Sequence, residues 1–494
     1  MRSQSRPYGN ASYRVARSAG IINSYPDVGP YGMNSRKNTD KPPKADPPTG
    51  LQNVPCRPLR TVDLFAGCGG LTLGLHQAGH HLLFAIEKDP MAFETFEANF
   101  LADDAKYPIG DFWPTWLERR AHDIQELLVD PAMKQRIAGL HGSVDLICGG
   151  PPCQGFSVGG IRDGKDSRNQ LPHRYLEFVE LVRPPFVLLE NVEGMARKFV
   201  SKPGHVEMAF VEWVRSHLSD IGYNAHFEII DASDFGVPQL RRRVFLFGVD
   251  QSICDETGAT ARDFFDCLAA VRAPLRRHLG IPLNRQVTVR DAIDDLDGEK
   301  RVICPDSPKF LAGTYKSPKS AYAKLMRAGL PNSAIPDSHR FSEHTSRILA
   351  FYQKVHDDKV FGRLPKAYLV AAGTKKDKKV LIDPELPAST ITTHPDEFIH
   401  FRHPRNITVR EMARIQSFPD NFAFRGRYTI NGPRRRYDVA RCSQVGNAVA
   451  PLVAQAIGWA LHEFQRRLEA LRQSRTMERA KEQHARRPGT VGKA

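Results

Sequence analysis

The stretch LRTVDLFAGCGG, residues 59–70, decides the fold of this chain. Its first half is apolar and strand-like, and the glycines that end it are typical of a tight turn. Leu71, Leu75 and Ala78 then recur at helical spacing. A strand, a glycine turn and a helix open a nucleotide-binding βα unit, in which the helix N-terminus faces the ligand. Such a turn occurs in many α/β proteins and does not by itself identify the ligand.

The next predicted strand, His81–Ile86, ends at Glu87, which follows Gly67 by 20 residues. At that spacing an acidic residue commonly binds the ribose hydroxyls of an adenosine-containing cofactor. Asp111 and Asp123 compete for the end of a third strand, because an apolar residue follows each of them. A helix-like segment follows Asp123, so we predict that Asp123 ends this strand.

A second loop, GGPPCQGFS at residues 149–157, follows the apolar run Val144–Cys148. Pro151 and Pro152 restrict the backbone just before Cys153, so the thiol is held where the strand ends. Open parallel sheets bind their ligands at that edge. We therefore interpret Cys153 as a nucleophile that faces a substrate.

Charged side chains follow two further strand-like segments. Glu190 comes directly after Pro185–Leu189, and burial at a strand end would raise the pKa of its carboxyl group and suit it to deliver a proton. In QLRRR, residues 239–243, strand alternation puts Arg241 and Arg243 on one face. Two guanidinium groups on one face can bind a phosphate or a base carbonyl, although a basic edge strand explains them equally well.

The net charge of +15 is concentrated at the two ends of the chain. Residues 1–60 carry 10 Lys and Arg against 3 acids, and residues 466–494 carry 9 against 3. Basic tails either stay solvated or attract nucleic-acid phosphates, and charge alone does not decide between these. The eight cysteines include no CxxC pair, so we expect reduced thiols and no zinc site. We also expect neither a membrane span nor a secretory signal.

Composition divides the chain into segments of different character. Residues 251–406 have short secondary-structure signals, frequent Pro and Gly, and basic loops around a hairpin-like pair of strands at 367–372 and 380–382. We predict a disordered basic tail over 1–58, an α/β domain over 59–250, a smaller irregular domain over 251–406, a return of the α/β domain over 407–473 and a disordered basic tail over 474–494.

Seven motifs, taken in order, resemble those of the DNA (cytosine-5) methyltransferases, particularly the bacterial type. They are DLFAGCGG (63–70), Glu87, GGPPCQGFS (149–157), ENV (190–192), QLRRR (239–243), REMARIQSFP (410–419) and QVGNAV (444–449). A lone glycine turn is weak, but seven motifs in family order are specific. The resemblance covers roughly residues 60–465, apart from the variable middle region.

This resemblance implies an α/β fold, namely the Rossmann-like sheet of the S-adenosylmethionine (AdoMet)-dependent methyltransferases. Residues 251–406 would then be the target-recognition domain, AdoMet the methyl donor, and no metal is expected. The residues that would border the AdoMet pocket are Phe65, Ala66, Gly67, Gly69, Glu87, Asp123, Ile124, Pro152, Asn447 and Val449.

The resemblance also implies methyl transfer to C5 of a cytosine in a specific double-stranded DNA sequence. Cys153 would add to C6 as a thiolate and so activate C5. Glu190 would protonate N3, and Arg243, with Arg241, would hold the O2 side of the base. Because the reacting atom is buried in the duplex, the cytosine must flip out, and the polar loop at 157–170 would close behind it.

Two other functions remain open at this point: a tRNA cytosine-5 methyltransferase with the same motifs, and a non-catalytic DNA-binding regulator. The size of 251–406 favours a DNA reader, and the presence of both Cys153 and Glu190 favours an active enzyme. We expect a cytoplasmic, nucleoid-associated monomer. The sequence leaves open which DNA sequence it recognises and whether a cognate restriction endonuclease accompanies it.

Overall fold

The computed structural model describes the body of the chain. It covers residues 56–110, 112–152, 170–197, 199–202, 205–374, 376, 378–394, 396–428 and 438–485. Cys153, most of the predicted closing loop at 157–170 and nearly all of the predicted N-terminal tail lie outside the described residues. None of the described helices is long and apolar enough to cross a membrane.

Nine strands lie among the described residues up to Asp250. They are β1 (Arg60–Leu64), β2 (His81–Ile86), β3 (Leu146–Gly149), β4 (Phe186–Val192), β5 (Phe199–Lys202), β6 (His205–Glu207), β7 (Tyr223–Asp231), β8 (Gln239–Leu240) and β9 (Arg242–Asp250). Six of them form one sheet in the order β2–β1–β3–β4–β9–β7. All six run parallel except β9, which is antiparallel to both of its neighbours.

The position of β1 in this sheet decides where a ligand binds. From β1 the chain moves outward to β2 and then returns to the other side of β1 as β3. Open α/β sheets bind ligands at such a reversal of strand order, outside the carboxyl ends of the strands. The glycine turn follows β1 and the GGPPC loop follows β3, so both predicted loops lie at this edge. The Rossmann-like fold class is confirmed.

Helices flank the sheet. The first eight are α1 (Gly70–Gln77), α2 (Pro90–Phe100), α3 (Ile124–Val129), α4 (Pro131–Ala138), α5 (Leu171–Val182), α6 (Phe210–Asp220), α7 (Gln251–Thr257) and α8 (Ala261–His278). Helices α3 and α4 pack against α5, and α6 packs against β7. Strands β3 and the body of β4 are buried along their length, as expected where helices cover both faces of a sheet.

The second half of the chain consists of short elements that end in one long helix. The strands are β10 (Arg301–Ile303), β11 (Leu311–Gly313), β12 (Gly362–Arg363), β13 (Val380–Leu381), β14 (Ala388–Ser389) and β15 (Phe398–Ile399). The helices are α9 (Val289–Ile293), α10 (Ala321–Met326), α11 (Ser346–Asp357), α12 (Lys366–Ala371), α13 (Val409–Ile415), α14 (Arg441–Asn447) and α15 (Pro451–Ala485).

Helix α15 returns to the sheet and packs against α1 and α8. Gly74 lets α1 approach it closely, since a Cβ there would lie 2.4 Å from the carbonyl oxygen of Pro451. Phe464 meets Phe247 of β9 and Phe264 of α8 in edge-to-face contacts. Helix α8 therefore belongs to the layer that covers the sheet, although the sequence assigns it to the region 251–406.

That region has a small core of its own only over part of its length. Tyr352, Val355, Leu364, Leu369, Leu381 and Ile399 form a separate buried cluster. Other elements of the region, such as α9 and α10, contribute buried residues to the main core instead. The domain boundaries at 251 and 406 stay a prediction.

Asp123 does not end a strand, because the described residues between α2 and β3 include no strand. Its side chain instead accepts a hydrogen bond of 2.9 Å from the Gln125 backbone amide and caps the N-terminus of α3. An aspartate before a helix is a common N-cap, so the same sequence pattern fits both the end of a strand and the N-terminus of a helix. Residues 101–110 and 112–122 follow an irregular path around the buried Trp113.

Two other expectations about local structure differ from the structure. Residues 366–371 form α12, not a strand, since Ala and Leu in KAYLVA favour a helix. Helix α15 continues past 473 to Ala485, and Arg475 anchors it by donating to the carbonyl groups of Asp255 and Glu256.

The N-terminal boundary also lies earlier than predicted. Residues 56–58 fall within the predicted tail, yet they pack on the body of the protein. Arg57 forms two hydrogen bonds of 2.7 Å with the carboxylate of Asp145, the residue before β3. An Arg–carboxylate pair in this bidentate geometry fixes the chain at that point.

Candidate active site

A small cavity lies at the carboxyl end of β4, lined by charged side chains from β4 and β9. The antiparallel register places Arg243 opposite Val192, two residues along β4 from Glu190. Glu190 and Arg243 are therefore diagonal neighbours on one face of the sheet. Arg243 Nε lies 3.3 Å from Glu190 Oε1. The other lining residues are Ile230, Ala232, Arg241, Phe245, Val449, Ala450 and Val453.

Glu190 is buried and only 8% exposed. Burial raises the pKa of its carboxyl group, and the positive charges of Arg243 and Arg241 oppose part of that rise. The net pKa is higher than that of an ordinary glutamate, in the direction that the sequence predicts. A carboxyl group of this kind holds a proton closer to neutral pH and can donate it to a buried substrate.

The loop that leads to Cys153 is tied to the same strand end. Gly149 lies against β1, since a Cβ there would be 2.1 Å from the carbonyl oxygen of Leu64. The next residue, Gly150, is similarly close to Glu190, with 3.1 Å from its added Cβ to Oε2. Asn191 Nδ2 then donates to the carbonyl oxygen of Pro151 at 2.8 Å. Pro152 is half-buried, and Cys153, which follows it, lies outside the described residues.

The turn after β1 has a strained backbone. Phe65 has a φ of 61°, which is uncommon for a residue with a side chain. Gly67 and Gly69 follow with φ values of 58° and 93°, where glycine is strongly favoured. Ala66 donates its amide to the carbonyl oxygen of Ile86 at 3.1 Å, which joins the turn to the end of β2. Strain of this kind concentrates at ligand sites.

Glu87 lies beside this turn and is held by backbone amides. Its Oε2 accepts from Gly67 at 2.8 Å and its Oε1 from Asp89 at 2.7 Å. Burial raises the pKa of the Glu87 carboxyl group, while these two hydrogen bonds lower it in part. A carboxylate has about four lone-pair sites, so about two remain to accept hydroxyl groups.

The turn and Glu87 together fit an adenosine-containing cofactor. A Cβ at Gly67 would meet no atom within 4 Å, so the turn borders open space on that side. Glu87 supplies acceptors for ribose hydroxyls next to that space. No group of three or more His, Cys, Asp or Glu side chains within the described ranges is arranged to hold a metal ion.

Asp123 lies near Glu87 although no strand carries it there. The His122 backbone amide donates to the carbonyl oxygen of Glu87 at 2.8 Å. Lys88 Nζ also lies 2.6 Å from Asp123 Oδ2, and this lysine is mostly exposed. Ile124 is buried at the start of α3. The structure thus brings the Glu87 and Asp123 backbones together.

The loop after α14 approaches the turn from the C-terminal half of the chain. A Cβ at Gly70 would lie 2.3 Å from the carbonyl oxygen of Val449, so the two loops touch. Val449 also lines the Glu190 cavity. Asn447, at the end of α14, is exposed. The predicted cofactor residues Phe65, Gly67, Glu87 and Val449 therefore gather around one strand edge.

Arg241 lines the cavity on the same side as Arg243, while Arg242 is exposed. The guanidinium group of Arg241, however, donates hydrogen bonds to backbone carbonyl groups of the protein. Nη1 donates to Ile391 at 3.2 Å, and Nη2 donates to Gly446 and Ala448 at 2.9 and 3.2 Å. Only Nε finds no acceptor among the described residues.

Comparison with known proteins identifies the family. The sequence pattern described as "C-5 cytosine-specific DNA methylase" matches residues 59–463. The chain belongs to the C-5 cytosine-specific DNA methylases. The prediction from the seven motifs is confirmed, and the protein is a DNA (cytosine-5) methyltransferase. Methylases of this family take the methyl group from AdoMet.

This methylase matches its relatives over most of their length. Type II methyltransferase M.DdeI from Desulfomicrobium norvegicum is 30% identical over 419 residues, which cover 81% of this chain and 87% of M.DdeI. M1.HphI from Haemophilus parahaemolyticus is 29% identical over 410 residues, which cover 82% and 87%. A solved DNA modification methyltransferase encoded within an E. coli prophage has a TM-score of 0.53 and 25% identity. It covers 82% of this chain and 99% of that one.

Three candidate positioning residues were not found by sequence reasoning. Asn191 belongs to the quoted ENV motif, but its contact with the Pro151 carbonyl was not predicted. Gln239 and Gln416 belong to two other quoted motifs, and Gln239 Nε2 donates to Gln416 Oε1 at 2.6 Å. Both glutamines are fully buried. Buried amides within motifs were a signal that could have found them, because such groups need partners.

Proposed function

We propose that this methylase transfers a methyl group to C5 of a cytosine that flips out of a specific double-stranded DNA sequence. The reaction would pass through a covalent bond between Cys153 and C6. The observation that carries the proposal is the buried pair of Glu190 and Arg243. This pair lies beside Gly150, in the loop that leads directly to Cys153.

Cytosine needs covalent activation because its C5 is a poor nucleophile. Addition of the Cys153 thiolate to C6 shifts the electrons of the C5–C6 double bond into the ring. C5 then has enamine character and can attack the methyl carbon of the sulfonium. Loss of the C5 proton to a base breaks the bond between sulfur and C6 and restores the aromatic ring.

Glu190 and Arg243 would complete this step on the far side of the ring. The raised pKa of Glu190 lets it deliver a proton to N3 as the thiolate adds, so that no full negative charge accumulates. Arg243 would hold the O2 side of the base, where its fixed charge stabilises the developing anion. The two groups are already within 3.3 Å of each other and need little reorganisation.

AdoMet, when bound, supplies the methyl group. We assign its pocket to the turn at Phe65, Ala66, Gly67 and Gly69, with Glu87 on the ribose. Asp123, Ile124 and Pro152 would border the purine and the methionine part, and Asn447 and Val449 would close the pocket from α14. The strained turn, the open space at Gly67 and the acceptors of Glu87 support this assignment.

The rest of the protein would recognise the DNA sequence and bring the target cytosine to the active site. Neighbouring bases cover both faces of a paired cytosine inside a duplex, and the thiolate must attack C6 from one of these faces, so the enzyme must extrude the nucleotide. We assign sequence recognition to the region 251–406. Part of this region has a small core of its own, and its sequence contains basic loops. We further propose a monomer that works at the host DNA in the cytoplasm. Its relatives M.DdeI and M1.HphI are type II methyltransferases, so a cognate restriction endonuclease is an open option for this chain.

The central experiment is to express the protein in a host without cytosine methylation and to map 5-methylcytosine across that DNA. We expect one recurrent sequence context, which also defines the substrate for every later assay. A duplex of that sequence with 5-fluorocytosine at the target should then form a complex that survives denaturing electrophoresis. After methyl transfer from AdoMet, which must be present, C5 carries both fluorine and the methyl group and has no proton to lose, so the Cys153 adduct cannot break down.

Cys153→Ser is the control. It should abolish both methylation and the stable complex while AdoMet binding, measured by calorimetry, stays near the wild-type value. If this variant methylated DNA at the wild-type rate, the covalent mechanism would be wrong. If no 5-methylcytosine appeared with the wild-type protein, the proposed activity itself would be wrong.

A further inference from the structure

Two side chains of one short segment bind the backbone of the same residue, Ile391, one at its amide and the other at its carbonyl group. Gln239 and Arg241 lie two residues apart, at β8 and just before β9. Gln239 Oε1 accepts from the Ile391 amide at 2.7 Å, and Arg241 Nη1 donates to the Ile391 carbonyl at 3.2 Å. Strand β14, which leads to Ile391, also pairs with β8. Residues 388–391 of the predicted target-recognition region are therefore fixed to β8 and to Arg241.

Arg241 and the partner of Gln239, Gln416, also bind the backbone at the end of α14, which carries Asn447. Arg241 Nη2 donates to the carbonyl groups of Gly446 and Ala448. Gln416, which is bound to Gln239, donates from Nε2 to Val445 at 2.9 Å and to Ala448 at 3.2 Å. Every acceptor in this set is a backbone carbonyl, so the contacts fix where the loop runs.

The two segments held in this way also touch each other. A Cβ at Gly446 would lie 2.5 Å from the carbonyl oxygen of Thr392. Ser443 Oγ lies 3.5 Å from the carbonyl oxygen of Thr393. Residues 391–393 thus run along α14, and neither segment can shift without breaking bonds to the other or to Arg241.

We propose that Arg241, with Gln239 and Gln416, couples AdoMet binding to DNA binding in this methylase. Arg241 is then a positioning residue and not a group that touches the base. The inference rests on the proposed function, in which residues 445–449, at the end of α14 and just after it, border AdoMet and residues 388–393 belong to the target-recognition region. A ligand that orders one segment lowers the cost of ordering the other, which is positive coupling between two sites.

Burial makes this junction sensitive to loss of a contact. Arg241 is only 3% exposed, and burial together with the nearby Arg243 lowers its pKa to about 9, so it still carries its charge at neutral pH. A buried cation keeps its stability only while its donors are matched. Displacement of either segment would strip carbonyls from the same guanidinium group, so the bound arrangement of one segment favours that of the other.

The test is calorimetry on the full-length protein with S-adenosylhomocysteine, the reaction product, which occupies the cofactor site without turnover. Its dissociation constant is measured alone and with a saturating duplex of the mapped recognition sequence. The ratio of the two constants is the coupling factor, and the affinity for DNA must change by the same factor when the product is added. We expect a wild-type ratio of at least about 5.

Arg241→Met should bring this ratio close to one. Arg241→Lys keeps the positive charge and replaces Arg241→Met in this test if the methionine variant does not fold. A single ammonium group cannot span the carbonyls of both segments, so its ratio should also fall below that of the wild type. Arg242→Met is the matched control, because this neighbour is exposed and contacts neither segment through its side chain in the structure as described. Its ratio should equal that of the wild type.

The outcomes separate coupling from simple structural damage. A variant that lowers the melting temperature and weakens both complexes, but keeps the ratio, would show that Arg241 is only structural and would overturn the inference. A wild-type ratio of one would overturn it as well. Neither result would affect the proposed function, which is tested separately by the mapping of 5-methylcytosine and by the Cys153→Ser variant.

Discussion

Arg243 Nε lies 3.3 Å from Glu190 Oε1, on neighbouring strands that run in opposite directions. The antiparallel position of β9 creates this relationship, since it brings the start of β9 to the carboxyl end of β4. A carboxyl group with a raised pKa and a fixed cation thereby share one cavity at the ligand-binding edge of the sheet. The predictions that follow concern this pair, the loop beside it and the packing that supports both.

Glu190→Gln should lower kcat by about 10² to 10⁴, the range typical for loss of a general acid. The amide keeps the size of the side chain and a hydrogen bond to the base, but it cannot deliver a proton to N3. In the wild type the protonated form of Glu190 is the active one, so kcat should fall as pH rises above its raised pKa. That limb of the pH profile should be absent from the variant, as measured by methyl transfer from labelled AdoMet. An unchanged profile would exclude Glu190 as the proton donor.

Arg243→Lys should lower kcat by roughly 10- to 100-fold, because an ammonium group cannot reproduce the planar contacts of a guanidinium group. The dissociation constant for AdoMet should stay unchanged, since Arg243 faces the cavity and not the turn after β1. Arg242→Lys is the control on the same strand. Its side chain is exposed and pairs only loosely with Glu193, so its kcat should match the wild type. Equal losses in both variants would contradict the assignment.

Asn191→Leu should weaken the loop that leads to Cys153. The variant removes the 2.8 Å hydrogen bond to the Pro151 carbonyl and leaves that buried acceptor unsatisfied, which costs roughly 1–3 kcal/mol. We expect kcat to fall while the affinity for AdoMet changes little. Single-turnover methylation separates this effect from product release. If kcat stayed at the wild-type value, the contact would not position the loop.

The sequence predicted those parts of the site that follow directly from strand periodicity. Glu87, Glu190 and Arg243 each lie at the end of a regular strand, so the position of the strand fixed the position of the side chain. Asp123 could not be placed in this way, because one pattern fits both a strand end and a helix N-cap. The hydrogen bond from His122 to Glu87, which brings Asp123 close to Glu87, joins residues far apart in sequence.

The roles of buried polar residues were harder to predict than their positions. Alternation correctly placed Arg241 and Arg243 on one face, but only the fold shows that carbonyl groups of Ile391, Gly446 and Ala448 surround the first of them. Those partners come from segments that are 150 residues or more away along the chain. A motif indicates that an arginine matters, whereas its partners decide what it does.

Gly74→Ala should destabilise the protein by about 1–3 kcal/mol, the usual cost of overpacking a core. The added Cβ would lie 2.4 Å from both Pro451 O and Ala454 Cβ, so α1 and α15 must move apart. Gly139→Ala is the control, because its φ is −64° and its nearest neighbour would be 3.3 Å away. Urea denaturation measures both. A smaller loss for Gly74→Ala than for Gly139→Ala would show that the helix contact is not tight.

Buried titratable groups near α13 predict that stability falls as pH decreases from 7 to 4. Burial lowers the pKa of His400 well below its usual value and lowers that of His339 to about 4. The unfolded chain therefore binds protons below pH ~6.5 that the folded protein does not, and each costs up to about 1.4 kcal/mol per pH unit.

Glu411 acts in the same direction at lower pH. Burial favours a higher pKa for its carboxyl group, but the Arg405 guanidinium outweighs burial and holds that pKa well below its usual range. Its stabilising effect is complete above the unfolded pKa of about 4.3 and is lost as pH falls below it. His400→Asn keeps an acceptor for the Arg402 and His403 amides but does not titrate. Urea denaturation at pH 7, 6 and 5 should show a free energy of unfolding that falls less steeply for this variant. An identical slope would mean that His400 is already protonated in the folded protein.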